Sequence, residues 1–135
     1  MDKVKQVYIG HDSLITSLGD KMQTFSALER GDCGLVYNED YKMIVGSINR
    51  TLPLAVLHEG CSFFESLVIN NILSVIDSSK LIITDDRLLV ILSTTKGNIE
   101  RLAESIDPVP NDAFLGNTAL KLQNYIGLSL SLIHI

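Results

Sequence analysis

Cysteine is scarce in this chain of 135 residues. Cys33 and Cys61 are the only two, and they form neither a CxxC pair nor a dense framework. That excludes a disulfide-stapled scaffold and a cysteine-rich zinc module, and it fits a reducing cytoplasm. Basic residues are also few: eleven Lys and Arg stand against sixteen Asp and Glu, for a net charge of −5. They are scattered without a stripe, so neither a nucleic-acid surface nor attraction to an anionic membrane is expected. No uninterrupted apolar run approaches the ~20 residues that a membrane-spanning helix needs. The start, Met1-Asp2-Lys3-Val4-Lys5-Gln6, leads straight into strand-like residues and does not read as a signal peptide. Internal repeats, low-complexity tracts and interdomain linkers are lacking too. What remains is 46% hydrophobic and 20% charged, the composition of one globular domain with a core of its own.

The chain is organised around residues 87–97. Leu88 to Leu92 are five consecutive apolar residues without alternation. Asp85-Asp86 precede them, and Ser93-Thr94-Thr95-Lys96-Gly97 follow. A short apolar run bounded by turn signals predicts a strand buried on both faces, as inside an α/β sheet. Val4, Val7, Tyr8 and Ile9 give residues 4–9 β-branched and aromatic bulk, which predicts a first strand. Asp20 followed by Gln23 is a capping-box pattern, and it predicts a helix over 21–30 with Met22, Phe25 and Leu28 on its apolar face and Gly31 at its end.

Residues 32–60 are the least regular. Segments 33–37 and 42–48 read as short extended pieces around a solvated Glu39-Asp40 turn, with Pro53 and Gly60 as punctuation. Ser62 and Glu65 form a second capping box. The helix it opens is expected over 63–77, buried between layers by Phe64, Leu67, Val68, Ile72, Val75 and Ile76. Asn98 is placed to cap a short helix, and Pro108 and Pro110 then break the chain. Asn111 or Asp112 is placed to cap a last helix with Leu115, Ala119, Leu122 and Ile126 on one face and Gly127 at its end.

No constellation of catalytic residues is legible. His11, His58 and His134 lie apart from any carboxylate or cysteine at ligand or catalytic spacing, and are read as structural or solvent-facing. Neither Cys33 nor Cys61 sits on a strand-to-helix elbow, where a helix N-terminus would lower a thiol pKa. Thr94 to Asn98 stand where a phosphate loop would, but only Gly97 is glycine and the motif spacing is lacking, so a solvated lysine beside a turn is the preferred reading. Asp85-Asp86 lack a third ligand and read as a polar turn. Asn49-Arg50-Thr51 matches the glycosylation triplet by chance.

Two segments together resemble the opening of β-ketoacyl synthases. The first is Gln6-Val-Tyr-Ile-Gly-His-Asp-Ser-Leu-Ile-Thr-Ser-Leu-Gly19, and the second runs from Ala27-Leu28-Glu29-Arg30-Gly31 to Asp32-Cys33-Gly34-Leu35. Ser17-Leu18-Gly19 is similar to the end of the family's loop signature, and Cys33-Gly34-Leu35 stands where the family has Ser-Gly-Ile. The later order of elements, up to Tyr125-Ile126-Gly127-Leu128, is similar as well, so the resemblance spans residues 4–129. The glycine-rich turn of the family is replaced by Ser93 to Gly97.

The resemblance implies a partial thiolase-like α/β fold, with an incomplete mixed sheet flanked by helices. Residues 4–9 and 88–92 would lie side by side under the 63–77 helix. It implies decarboxylative condensation of acyl thioesters in fatty acid or polyketide-type synthesis, with acyl-carrier protein and a homodimer or heterodimer partner for the complete protein, and no cofactor or metal. The family's nucleophilic cysteine and its histidines fall after the last matching segment, so the resemblance gives no residue of this chain a catalytic role. A non-catalytic partner subunit akin to a chain-length factor is the alternative, and an unrelated small binding domain a further one. Residues 130–135, Leu-Ser-Leu-Ile-His-Ile, equal the translation of CTG TCT CTT ATA CAC ATC, a transposase mosaic-end adapter, and are expected to be a non-native tail.

Overall fold

A computed structural model describes residues 6–85, 88–94, 97–103, 107–128 and 133–134. It is a mixed α/β arrangement with three helices. In place of a single incomplete mixed sheet, the described strands form three separate two-stranded pairs.

Residues 15–20 close into a tight hairpin in which β1 (Ile15–Thr16) pairs antiparallel with β2 (Gly19–Asp20). Asp20 then opens α1 (Lys21–Glu29). Its side chain accepts from the Gln23 backbone N–H, and the Gln23 side chain accepts from the Asp20 N–H. Two of the donors orphaned by a helix start are thereby satisfied within one turn. The expected apolar face is not the buried one: Met22, Phe25 and Leu28 are exposed, and Thr24 and Ala27 are buried instead. The reason is close approach. The Thr24 hydroxyl bonds both Thr16 Oγ1, at 2.8 Å, and the Gly19 carbonyl, at 3.2 Å, so the small side of α1 lies on the hairpin.

β3 (Val36–Asn38) and β4 (Met43–Val45) form an antiparallel surface hairpin that overlaps the two segments read as extended. Asn38 Oδ1 accepts from the Tyr41 N–H at 3.0 Å across the turn, and Lys42 takes a φ of 50°. A short 3-10 turn at Pro53–Ala55 leads toward the longest helix, α2 (Phe63–Ser79), which has the expected capping box and ends on Lys80 in the left-handed region. Of its broad apolar face only Ile69 is fully buried; Phe64, Leu67, Val68 and Ile72 are half-covered, and the inner positions also include Glu65 and Ser66. The helix is therefore not enclosed between layers.

The central run is corrected as well. Only β5 (Ile91–Leu92) is strand, and Leu89 and Ile91 are exposed while Leu88, Val90 and Leu92 pack against the core. The run thus buries one face, toward α2, and alternates as a half-covered strand does. Residues 7–9 are not a strand: Val7, Tyr8 and Ile9 are 92%, 80% and 99% exposed, and Val4 lies outside the described residues. A strand is held by its ladder, and no described backbone pairs with this segment.

Residues 99–103 form a 3-10 turn, and so do residues 111–113. The last helix, α3 (Leu115–Ile126), is preceded by Phe114, which provides no side-chain cap, contrary to the expected Asn111 or Asp112. Its face is as expected: Ala119, Leu122 and Ile126 are buried, and Gly127 ends it at a φ of 75°. Ile69, Leu122, Ile126 and Leu128 form the core cluster between α2 and α3. Fully burying side chains of this size contributes about 2–3 kcal/mol each. β6 (Ile133–His134) lies parallel to β5. No helix among the described residues is long and apolar enough to cross a membrane.

Candidate functional site

The most organised polar arrangement is a buried cluster joining the start of α2, residue Asn98 and the first half of α3. It begins with the local capping box, which turns the Glu65 carboxylate back to accept from the Ser62 N–H at 2.7 Å. Asn98, fully buried, then ties the elements together. Its Oδ1 accepts from the Ser62 hydroxyl at 2.6 Å. Its Nδ2 faces Glu65 Oε1 at 2.8 Å, the Asp112 carbonyl at 2.9 Å and Thr118 Oγ1 at 3.1 Å. Lys121 reaches in from α3 and places Nζ 2.8 Å from Glu65 Oε2.

Burial alone would raise the Glu65 pKa, since it penalises the charged carboxylate. The Lys121 ammonium, the Ser62 N–H and the Asn98 amide outweigh that effect, and the pKa is lowered from its ordinary 4.5. Glu65 is therefore ionised at neutral pH, with both oxygens occupied and the side chain sealed from solvent. A base so placed has no access to a substrate proton, so the cluster acts as a clamp between helices.

Beside it lies a second polar group. Asn70 donates through Nδ2 to the Leu54 and Val56 carbonyls, which leaves Oδ1 to accept, and His58 Nε2 stands 2.7 Å from that oxygen. In neutral His58 the proton is thus on Nε2, and Nδ1 accepts from the Tyr125 hydroxyl at 2.9 Å. The two rings also meet edge-on, 5.1 Å apart between centroids. His58 holds the segment before α2 against the end of α3.

The other sequence-selected residues are not gathered into a site. Cys61 is half-buried, and its thiol pKa is raised, first by burial and then by the Glu65 charge, with Lys121 opposing. It is a protonated thiol at neutral pH and a poor nucleophile. Cys33 is exposed after α1, and His11 is exposed in the loop before the β1–β2 hairpin. The side chain of His134, and Asp86, Thr95 and Lys96, lie outside what is described. After β5, Thr94 Oγ1 accepts from the Gly97 N–H at 3.0 Å, a local bond. Thr51 donates its N–H and hydroxyl to Asn49 Oδ1, which closes the Asn49-Arg50-Thr51 turn on itself. Among the described residues there is no group of three or more His, Cys, Asp or Glu side chains suited to a metal.

Two open apolar grooves, of about 330 and 440 Å³, flank the seam between α2 and residues 88–92 and share Asn71, Ile72, Val90 and Ile91. Among the described residues, no charged side chain lines either one. Sequence reading identified Glu65 and Asn98 as caps only and passed over Lys121 and Thr118. No local signal links Lys121 to a partner 56 residues away.

No protein-family model, curated protein or solved structure matches this chain.

Proposed function

We propose that this chain is the front portion of a β-ketoacyl synthase, with a partial thiolase-like fold, working in the cytoplasm with acyl-carrier protein and a dimer partner. The complete protein would transfer an acyl group from a thioester to a cysteine. It would then condense that acyl group with the carbanion released by decarboxylation of malonyl-carrier protein. As it stands the chain carries neither nucleophile nor oxyanion histidine, and it is inactive.

One observation carries the reading. The two segments that resemble the family touch each other: a Cβ on Gly34 would stand 2.2 Å from Ser17 Oγ and 2.9 Å from Leu18 Cγ. Gly19, at a φ of 123°, would drive a Cβ to 2.2 Å from the Gln23 side chain that completes the α1 cap. Ser17-Leu18-Gly19 and Cys33-Gly34-Leu35 are thus one packed unit with a physical need for both glycines. That supports treating them as a single signature.

The test is the gene itself. Genomic DNA read past the codon for Ser129 should continue into a strand and a cysteine on a strand-to-helix elbow. Another residue on that elbow would favour the non-catalytic partner subunit, and an immediate stop codon would defeat the family reading. A second test uses the chain as it is. Intact mass after incubation with an acyl thioester should show no adduct, and stoichiometric, base-labile acylation of Cys33 or Cys61 would refute its assigned inactivity.

A further inference from the structure

Three neighbouring apolar side chains, Val7, Tyr8 and Ile9, stand almost wholly in solvent at the start of the described chain. Four residues after Ile9, the Ser13 hydroxyl donates to Asn71 Oδ1 at 2.7 Å. Asn71 is held in that orientation because its Nδ2 donates to the Leu67 carbonyl at 2.8 Å. Ser13 and Asn71 both line the 330 Å³ groove, together with Ile72, Val75, Leu88 and Val90. Among the described residues, a groove without charged lining therefore begins where the chain just after this apolar segment is pinned.

We infer that residues 6–10 are a strap that closes over this groove, hinged at the Ser13–Asn71 bond, and that the structure holds its open form. Reach is sufficient. Six residues separate Val7 from Ser13 and can span about 20 Å extended. The groove follows α2 from Asn71 to Ile76, a rise of only about 7.5 Å. Covering both surfaces removes large apolar area from water, and the segment orders few residues to do so.

The competing occupant is a second copy of the chain. A segment tethered this closely has an effective concentration of about millimolar, far above the micromolar concentration of a second copy in solution. The tethered segment wins that competition. The strap does not depend on the family reading, since it uses only this groove and this segment.

The chain contains no tryptophan, so Tyr8→Trp gives a single reporter in the full-length protein. The strap predicts blue-shifted emission and acrylamide quenching several-fold weaker than for free N-acetyl-tryptophanamide, both unchanged on dilution. Adding Val75→Asp should restore quenching to the free value while the far-ultraviolet circular dichroism is kept. Should Val75→Asp unfold the chain, Tyr8→Cys with Val75→Cys, in a Cys33→Ser, Cys61→Ser background, should give an intramolecular product with a short bis-maleimide. Emission and quenching equal to free indole would overturn the strap, and so would absence of that product. Shielding that grows with concentration, or a cross-linked dimer, would assign the groove to a second copy and overturn it equally.

Discussion

Lys121 Nζ lies 2.8 Å from a Glu65 carboxylate that is wholly sealed from solvent, and 56 residues of chain separate the two. The Lys121 side chain is itself partly exposed, at 34%, whereas the Glu65 side chain is fully covered. The pair is therefore asymmetric. Removing the cation strands the anion, whereas removing the anion returns the cation to water.

Lys121→Met is expected to destabilise the fold by about 2–4 kcal/mol, because Glu65 would remain buried with only its Ser62 and Asn98 donors. Adding Glu65→Leu to that variant should recover a good part of the loss, since the pair would then be replaced by apolar contact. Urea unfolding of the two variants and the parent measures both steps. Equal stability of Lys121→Met and the parent would show that the clamp contributes nothing.

The lowered Glu65 pKa sets the sign of one pH effect. A carboxyl whose folded pKa is below its unfolded value stabilises the fold above the unfolded pKa, here 4.5. That contribution is lost as pH falls through the folded pKa. Melting temperature should therefore drop below pH 4.5 more steeply in the parent than in Glu65→Gln, which has no carboxyl to titrate there. Parallel curves would rule out the proposed role of Glu65.

Gly34→Ala should cost about 1–3 kcal/mol, the scale of overpacking at a tight contact. Its Cβ would meet Ser17 Oγ at 2.2 Å and Leu18 Cγ at 2.9 Å. Ser17→Gly removes the nearer obstacle and should recover part of the cost, leaving the Leu18 contact. A double-mutant cycle by thermal melting gives the coupling, and simple additivity would disprove the contact.

The two thiols should differ in reactivity. Cys33 is exposed, while Cys61 is half-buried with a raised pKa. Timed alkylation with iodoacetamide near neutral pH, read by peptide mass spectrometry, should modify Cys33 well before Cys61. Faster modification of Cys61 would mean that its thiol is activated, contrary to the burial and the Glu65 charge that hold it protonated.

What the sequence determined by itself is local. Asp20 with Gln23 and Ser62 with Glu65 mark the starts of α1 and α2, because each cap is completed within three residues and needs no distant partner. The face of α3 and its end at Gly127 follow from 3.6-residue spacing and a left-handed glycine, which are equally local. Only the tertiary structure decided that α1 turns Thr24 and Ala27 inward in place of Met22, Phe25 and Leu28, since the Thr16 hydroxyl and the Gly19 carbonyl that receive Thr24 belong to the preceding hairpin. It also decided the fate of the two apolar runs. Residues 7–9 and 88–92 have the composition of strands, but a strand exists through the backbone it pairs with. The described chain supplies such a partner only to Ile91 and Leu92. Glu65 shows both levels at once: its capping bond is legible in the sequence, whereas its ion pair depends on the packing of α3 against α2, which no spacing along the chain specifies.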